Sequence, residues 1–253
     1  MTYVTTVLGD SPAHYWRLAD PGGFLAHDIG AGPFHLDANP ASQWNGYSGI
    51  AADGGSSAFI SGIEAWSGGD SLLITAPLSI ELWVWPLSFR GGATQDLFRW
   101  DNSSNPFANI QLLSNGTFRS NLANVSSTSV TVYPLQHWHH VVGTYSVVNG
   151  NRLYVDGTIQ ATQASASAFP TSAVIHIGID TGNLCGCWMT EVATYNKELT
   201  AGEVSSHFSA QELTGPPTYQ LPGSGISNGG FSGFAQSIDS ILADVQKTYV
   251  NAP

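Results

Sequence analysis

The sequence predicts an all-β protein: one antiparallel two-sheet sandwich, followed by a linker and an amphipathic helix. Three observations predict it. Short aromatic and β-branched runs recur along the 253 residues, cut by Gly, Asn, Asp and Pro clusters at intervals typical of sandwiches. Charged residues make up only 10% of the chain, which argues against long solvated helices. The run Trp138–Tyr145, followed through Asn149-Gly150 by Arg152–Val155 and closed by Asp156-Gly157, has the form of a hairpin. Both Asn-Gly and Asp-Gly accept the positive φ values that tight reversals require.

The elements follow in order. Residues 1–9 form a lead segment, in which Tyr3-Val4 and Val7-Leu8 share a face at helical spacing and Gly9 stops the turn. Residues 10–211 form the sandwich. Its expected strands are His14–Leu18, Ala58–Ile60, Leu72–Ile74, Ser79–Trp85, Asp96–Trp100, Ile110–Leu113, Thr117–Leu122, Trp138–Ser146, Arg152–Val155, Ala173–Ile179 and Trp188–Tyr195. Ser79–Pro86 is apolar at nearly every position, so it reads as a central strand covered on both faces. Trp83 and Trp85 should share one side with Val84 opposite, and Trp138 should pack in the same region. From about Ala13 to His207 strand and turn are expected throughout.

After Gln211 the texture changes. Residues 212–230 are a Pro/Gly-rich linker. Residues 231–253 carry a stripe of Phe231, Phe234, Ile238, Ile241, Leu242, Val245 and Tyr249 at steps of three and four, the pattern of an amphipathic helix. Such a stripe needs a partner, so this tail is expected to serve assembly, with a homotrimer as the first expectation.

Composition excludes some functions. With 7 Lys+Arg against 18 Asp+Glu, the chain would be repelled by a phosphate backbone, so nucleic acid is not expected as a partner. No stretch is apolar for long enough to span a bilayer, and no signal peptide is seen at the N-terminus. Sequons occur at Asn102, Asn115 and Asn124 and are read as products of a Ser/Asn-rich composition. Cys185 and Cys187, flanking Gly186, are expected to be small buried or turn residues rather than a metal site.

Five segments in order resemble the laminin G-like, concanavalin A-like jelly-roll domains. They are Asp10-Ser11-Pro12-Ala13-His14-Tyr15-Trp16-Arg17-Leu18, Ala58-Phe59-Ile60-Ser61-Gly62, Ser79-Ile80-Glu81-Leu82-Trp83-Val84, the Trp138–Gly157 hairpin, and Ile177-Gly178 with Trp188–Thr200. Ser61 stands where the family usually has Asp, and Thr190 replaces the usual Asp before Glu191. The resemblance implies a jelly-roll sandwich from about Asp10 to Gln211. The opening segment resembles modules carried by phage tail and surface proteins.

Candidate chemistry is sparse. His139 and His140 are neighbours in a strand, so they point to opposite faces and cannot converge on one ion. No Gly-x-Ser-x-Gly elbow or Ser-His-Asp arrangement is visible. The resemblance makes Glu81 the first candidate for a catalytic acid, but the place where some relatives carry a second acid is Trp83. The protein is therefore expected not to be an enzyme. The resemblance also implies a possible structural Ca²⁺ at the rim, held by Asp28 and Glu191. Glycan binding in this fold uses rim loops with aromatic platforms and amide or carboxylate partners. Trp44 with Asn45 and Tyr47, Trp66 near Asp70, and Trp100 with Asp101 and Asn102 fit that description.

Together these features predict a non-enzymatic phage virion component, located on the particle surface as a tail-associated receptor-binding module or an outer capsid protein. Its expected partners are other virion proteins, through the C-terminal helix, and a host cell-surface glycan. The alternative is a carbohydrate-binding accessory domain or a polysaccharide-active enzyme of the same fold.

Overall fold

A computed structural model describes residues 2–20, 25–32, 34–38, 43–51, 56–60, 66–67, 75–88, 94–101, 106–164, 174–178, 186–212 and 214–217. For 38, 43–48, 56, 59–60, 66–67, 101 and 106–107 the backbone alone is described. The predicted strand Leu72–Ile74, Cys185, most of the linker and the whole tail lie outside these residues.

Within them, two antiparallel eight-stranded sheets form the sandwich. Sheet A contains β1 (His14–Trp16), β4 (Gln43–Ser48), β5 (Ser56–Ile60), β7 (Leu78–Pro86), β12 (His139–Ser146), β13 (Gly150–Val155), β14 (Thr158–Gln163) and β16 (Cys187–Tyr195). Its order is β14-β13-β12-β7-β16-β5-β4, with β1 paired to β16. Sheet B contains β2 (Leu25–Ala26), β3 (Leu36–Ala38), β6 (Trp66–Ser67), β8 (Gln95–Asp101), β9 (Pro106–Leu112), β10 (Phe118–Leu122), β11 (Val125–Thr128) and β15 (Val174–Ile177). Its order is β11-β10-β9-β8-β15-β6-β3-β2.

Period-two patterning fills the space between the sheets. Ile80, Leu82 and Val84 of β7 and Val141 and Tyr145 of β12 meet Phe98, Ile110, Leu112, Phe118 and Leu122 of sheet B. The sheets approach closely at Gly143, where a Cβ would lie 2.8 Å from the Ile110 side chain, so a side chain there would force Ile110 and Ser120 to shift. A polar clamp crosses the same gap: Ser120 Oγ donates to Asn151 Oδ1 (2.6 Å), and Asn151 Nδ2 returns a bond to the Ser120 carbonyl (2.9 Å).

The opposite face of sheet A is also buried, because two helices cover it. α1 (Tyr3–Gly9) is N-capped by Thr2 and sinks Tyr3 and Val7, as the sequence predicts. α2 (Ala201–Ser209) corrects the reading of strand and turn up to His207. Thr200 and Glu203 form a reciprocal capping box, and Val204 and His207 face inward one turn apart. Trp83, Trp85 and Trp138 pack together beneath these helices, with Val84 in the other core, as predicted for this strand. Hence β7 is buried at all nine positions.

The hairpin forms as read, with one addition. Asp156 (φ 50°) and Gly157 (φ 73°) close a two-residue turn, and the chain then returns as β14, an edge strand absent from the sequence reading. Cys187 is buried, as expected, and is disulfide-bonded.

Candidate functional site

Glu81 lies on the helix-covered face of β7 and has no solvent exposure. Four side chains surround its carboxylate. The Tyr3 hydroxyl donates to Oε1 and the Tyr195 hydroxyl to Oε2, both at 2.7 Å. His140 Nε2 lies 2.8 Å from Oε1, and His207 Nδ1 lies 2.9 Å from Oε2. His207 Nε2 meets Asp10 Oδ2 at 2.9 Å, so both ring nitrogens face carboxylates and both donate. Burial pulls the His207 pKa down, but the Glu81 charge and hydrogen bond, with Asp10, lift it to about 9. Burial alone would raise the Glu81 pKa; His207 and His140 instead hold it well below the usual carboxylate range. Burial and the adjacent Glu81 push the Tyr3 and Tyr195 hydroxyls well up. This constellation joins α1, α2 and three strands of sheet A. It is sealed from solvent and offers no approach to a substrate.

Asp28 and Glu191 are each consumed by the protein. Asp28 Oδ1 accepts from the Tyr15 and Gly30 amides, both at 2.8 Å, and Oδ2 accepts from the Phe34 amide at 2.9 Å with His14 Nδ1 2.6 Å away. Burial opposes ionisation here, but these donors hold the Asp28 carboxyl below its ordinary value. Glu191 sits at a bulge of β16 with φ 55°, where it accepts from the Tyr15 hydroxyl and pairs with Arg17 at 3.0 Å. A hard cation needs oxygen ligands, whereas N–H and O–H donors surround both carboxylates. These residues do not fit a calcium ion. Among the described residues, no group of three or more His, Cys, Asp and Glu could hold a metal.

His139 and His140 fall on opposite faces as predicted, and both are buried. His139 Nδ1 lies 3.0 Å from Asp156 Oδ2 and Nε2 2.9 Å from the Pro134 carbonyl oxygen.

The outer face of sheet B is different in kind. Because Ala108, Ile110 and Leu112 point into the core, their neighbours Asn109 and Gln111 point outward. The same alternation in β10 sends Arg119 and Asn121 to that face. Register aligns Arg119 with Gln111, Gln111 with Asp96, Asn109 with Arg99, and Arg99 with His176. A polar array therefore crosses β10, β9, β8 and β15. Arg119 Nε donates to Gln111 Oε1 (2.6 Å), and Gln111 Nε2 donates to Asp96 Oδ1 (2.5 Å). Asp96 Oδ2 lies 3.6 Å from Arg99 Nη1. Asn109 is 2% exposed, and its Oδ1 has no hydrogen-bond partner among the described residues.

Sequence reasoning did not single out this array. Its signal was present in Ala108-Asn109-Ile110-Gln111-Leu112 and Phe118-Arg119-Ser120-Asn121-Leu122, where amides and a guanidinium alternate with core residues. The backbone places the predicted rim residues on several strands, and of their side chains only that of Trp100 is described. Trp44, Asn45 and Tyr47 lie on β4 at the edge of sheet A, while Trp66 lies on β6 and Asp101 ends β8, both in sheet B. Trp100 corrects its expected rim position: it is 4% exposed and packs against Phe98 in the core, on the inward face of β8. Asp70 and Asn102 lie outside the described residues, as do Phe231, Phe234, Ile238, Ile241, Leu242, Val245 and Tyr249.

Comparison with solved structures finds the same architecture. The binding domain of botulinum neurotoxin serotype D matches with a TM-score of 0.62 at 12% identity, over 79% of this chain and 51% of that one. The botulinum neurotoxin type G receptor binding domain matches at 0.59 and 13%, over 79% and 51%. A Trypanosoma rangeli sialidase in complex with sialic acid matches at 0.56 and 14%, over 78% of this chain and 32% of the enzyme. The chain thus spans about half of those toxin domains and a third of the sialidase. Comparison with curated proteins finds no match. The family model described as the concanavalin A-like lectin/glucanases superfamily matches residues 61–205, more than half of the chain. With its two packed antiparallel sheets and this match, the chain belongs to the concanavalin A-like lectin/glucanase superfamily.

Proposed function

We propose that this protein is a non-enzymatic glycan-recognition module whose outer sheet-B face holds the sugar. The polar array across β10, β9, β8 and β15 carries the reading, above all the half-buried Arg119 linked through Gln111 to Asp96. Amide, carboxylate and guanidinium groups fixed on rigid strands suit the many hydroxyls of a sugar. The sialidase and toxin domains share this fold, and their recognition of sialic acid and of receptors lends it a binding role.

The non-enzymatic reading is supported by the placement of carboxylates among the described residues. Glycosidic cleavage uses two acids about 5–9.5 Å apart. On the outer face of sheet B, Asp96 on β8 and Asp37 on β3 are separated by three strand spacings, roughly 14 Å at about 4.8 Å each. Glu81 is sealed beneath α1 and α2. The setting proposed is display on a virion surface, supported by the Asp10–Leu18 opening and the amphipathic stripe from Phe231 to Tyr249.

A glycan array probed with the full chain tests this. Binding to a defined set of oligosaccharides is expected, lost in Asn109→Ala and Gln111→Ala variants that keep the native circular dichroism spectrum. Retained binding in both variants would move the site elsewhere. Release of shorter sugars from a bound oligosaccharide would favour the enzymatic alternative.

A further inference from the structure

Arg119 is out of keeping with the rest of the chain. Acidic residues outnumber Lys+Arg by 18 to 7, so a cation has many possible partners. Arg17 pairs with Glu191 at 3.0 Å, Arg152 with Glu198 at 3.1 Å, Arg99 with Asp96 at 3.6 Å, and Lys197 with Asp10 and Glu203 at 2.9 and 2.8 Å. Among the described Lys and Arg residues, Arg119 alone has no carboxylate partner. Its Nε is fixed on Gln111 Oε1 at 2.6 Å, and neither Nη has a hydrogen-bond or ion-pair partner among the described residues. The side chain is half-buried on the face described above.

We propose that Arg119 receives an anionic group of the glycan, a carboxylate or a sulfate ester, through its two Nη atoms. This deepens, and rests on, the glycan reading of the sheet-B face. Three features support it. A planar guanidinium offers parallel N–H donors that match two oxygens of a carboxylate or sulfate. Gln111 acts as a positioning residue, because its Oε1 holds Nε and its Nε2 is anchored on Asp96; the fork is therefore oriented before the ligand arrives. Arg99 on the neighbouring strand is engaged by Asp96, so Arg119 is the guanidinium of this face whose charge no described carboxylate neutralises.

The experiment uses the full chain on an array of neutral, sialylated, uronic acid-containing and sulfated oligosaccharides, followed by calorimetry on the strongest binder. Binding is expected for acidic glycans only, weakening as salt is raised. Carboxyl reduction, or desulfation, of that glycan identifies the anion and should cost about ten- to a hundred-fold in affinity. Arg119→Gln should lose the same factor toward the acidic glycan and nothing toward its reduced or desulfated form, while Arg119→Lys should recover part of it by restoring charge without the fork. Calorimetric melting of each variant checks that the fold is kept. Binding confined to neutral glycans, or undiminished in Arg119→Gln, would overturn the anion inference and leave the glycan reading standing. No binding to any glycan would overturn both.

Discussion

Replacing Glu81 by Gln separates a structural carboxylate from a catalytic one. The substitution keeps the shape and removes the charge. In the native protein the carboxylate accepts from Tyr3 and Tyr195 and pairs with His140 and His207, all without exposure to water. Glutamine offers one acceptor oxygen and presents an amide donor where a hydroxyl or imidazole already donates. His207 would keep only Asp10 as a charged partner. Removing one member of a buried ion pair typically costs about 3–5 kcal/mol, because the remaining charge stays desolvated. For a domain of this size each kcal/mol moves the melting temperature by about 2–4 °C, so a fall of roughly 6–20 °C follows. Differential scanning calorimetry at pH 6 measures it, and glycan binding at 20 °C should be unchanged. A melting temperature within about 2 °C of the parent would refute the stabilising role of this cluster.

Other predictions follow from the same geometry. His207 is protonated between Glu81 and Asp10 with its pKa lifted from 6.5 to about 9, so its contribution is full below pH 6.5 and lost as pH rises through 9. Glu81 is depressed from 4.5, so its contribution is present above pH 4.5 and lost as pH falls through its lower folded value. Melting temperatures should therefore decline between pH 6.5 and 9 in the parent, and that decline should shrink in His207→Gln. Chelation by EDTA should leave the melting curve unchanged, because N–H and O–H donors, not a cation, satisfy Asp28 and Glu191. A lowered midpoint restored by added Ca²⁺ would contradict that donor assignment.

Much of the fold was legible because it is written in local patterns. β7 is a continuous apolar run, and both its faces are buried. Asp156-Gly157 marks a turn that only positive φ permits. β14, in contrast, reads Thr158-Ile159-Gln160-Ala161-Thr162-Gln163 and is mostly exposed at the edge of sheet A, so no hydrophobic period announces it. β2, β3 and β6 run two or three residues and depend on pairing with neighbours rather than on their own composition. α2 carried a readable start, Thr200 with Glu203 three positions on, but it follows a long strand and resembles that strand's exit. The site was harder to read. Aromatic residues beside Asn and Asp suggested rim platforms, yet Trp100 is an inward core residue. The polar face became visible only when register placed Arg119, Gln111 and Asp96 side by side on three strands. Glu81 stood out by type, but the tyrosines and histidines that seal it come from positions 3, 140, 195 and 207, which no sequence spacing connects.

The most direct test of the central claim is amide hydrogen exchange of the full chain, with and without the strongest-binding oligosaccharide from the array. The account predicts added protection confined to residues 95–101, 106–112 and 118–122, the strands that carry Asp96, Asn109, Gln111 and Arg119. Protection confined to β4 and β5, to the helix-covered face of sheet A, or to no described segment would contradict it.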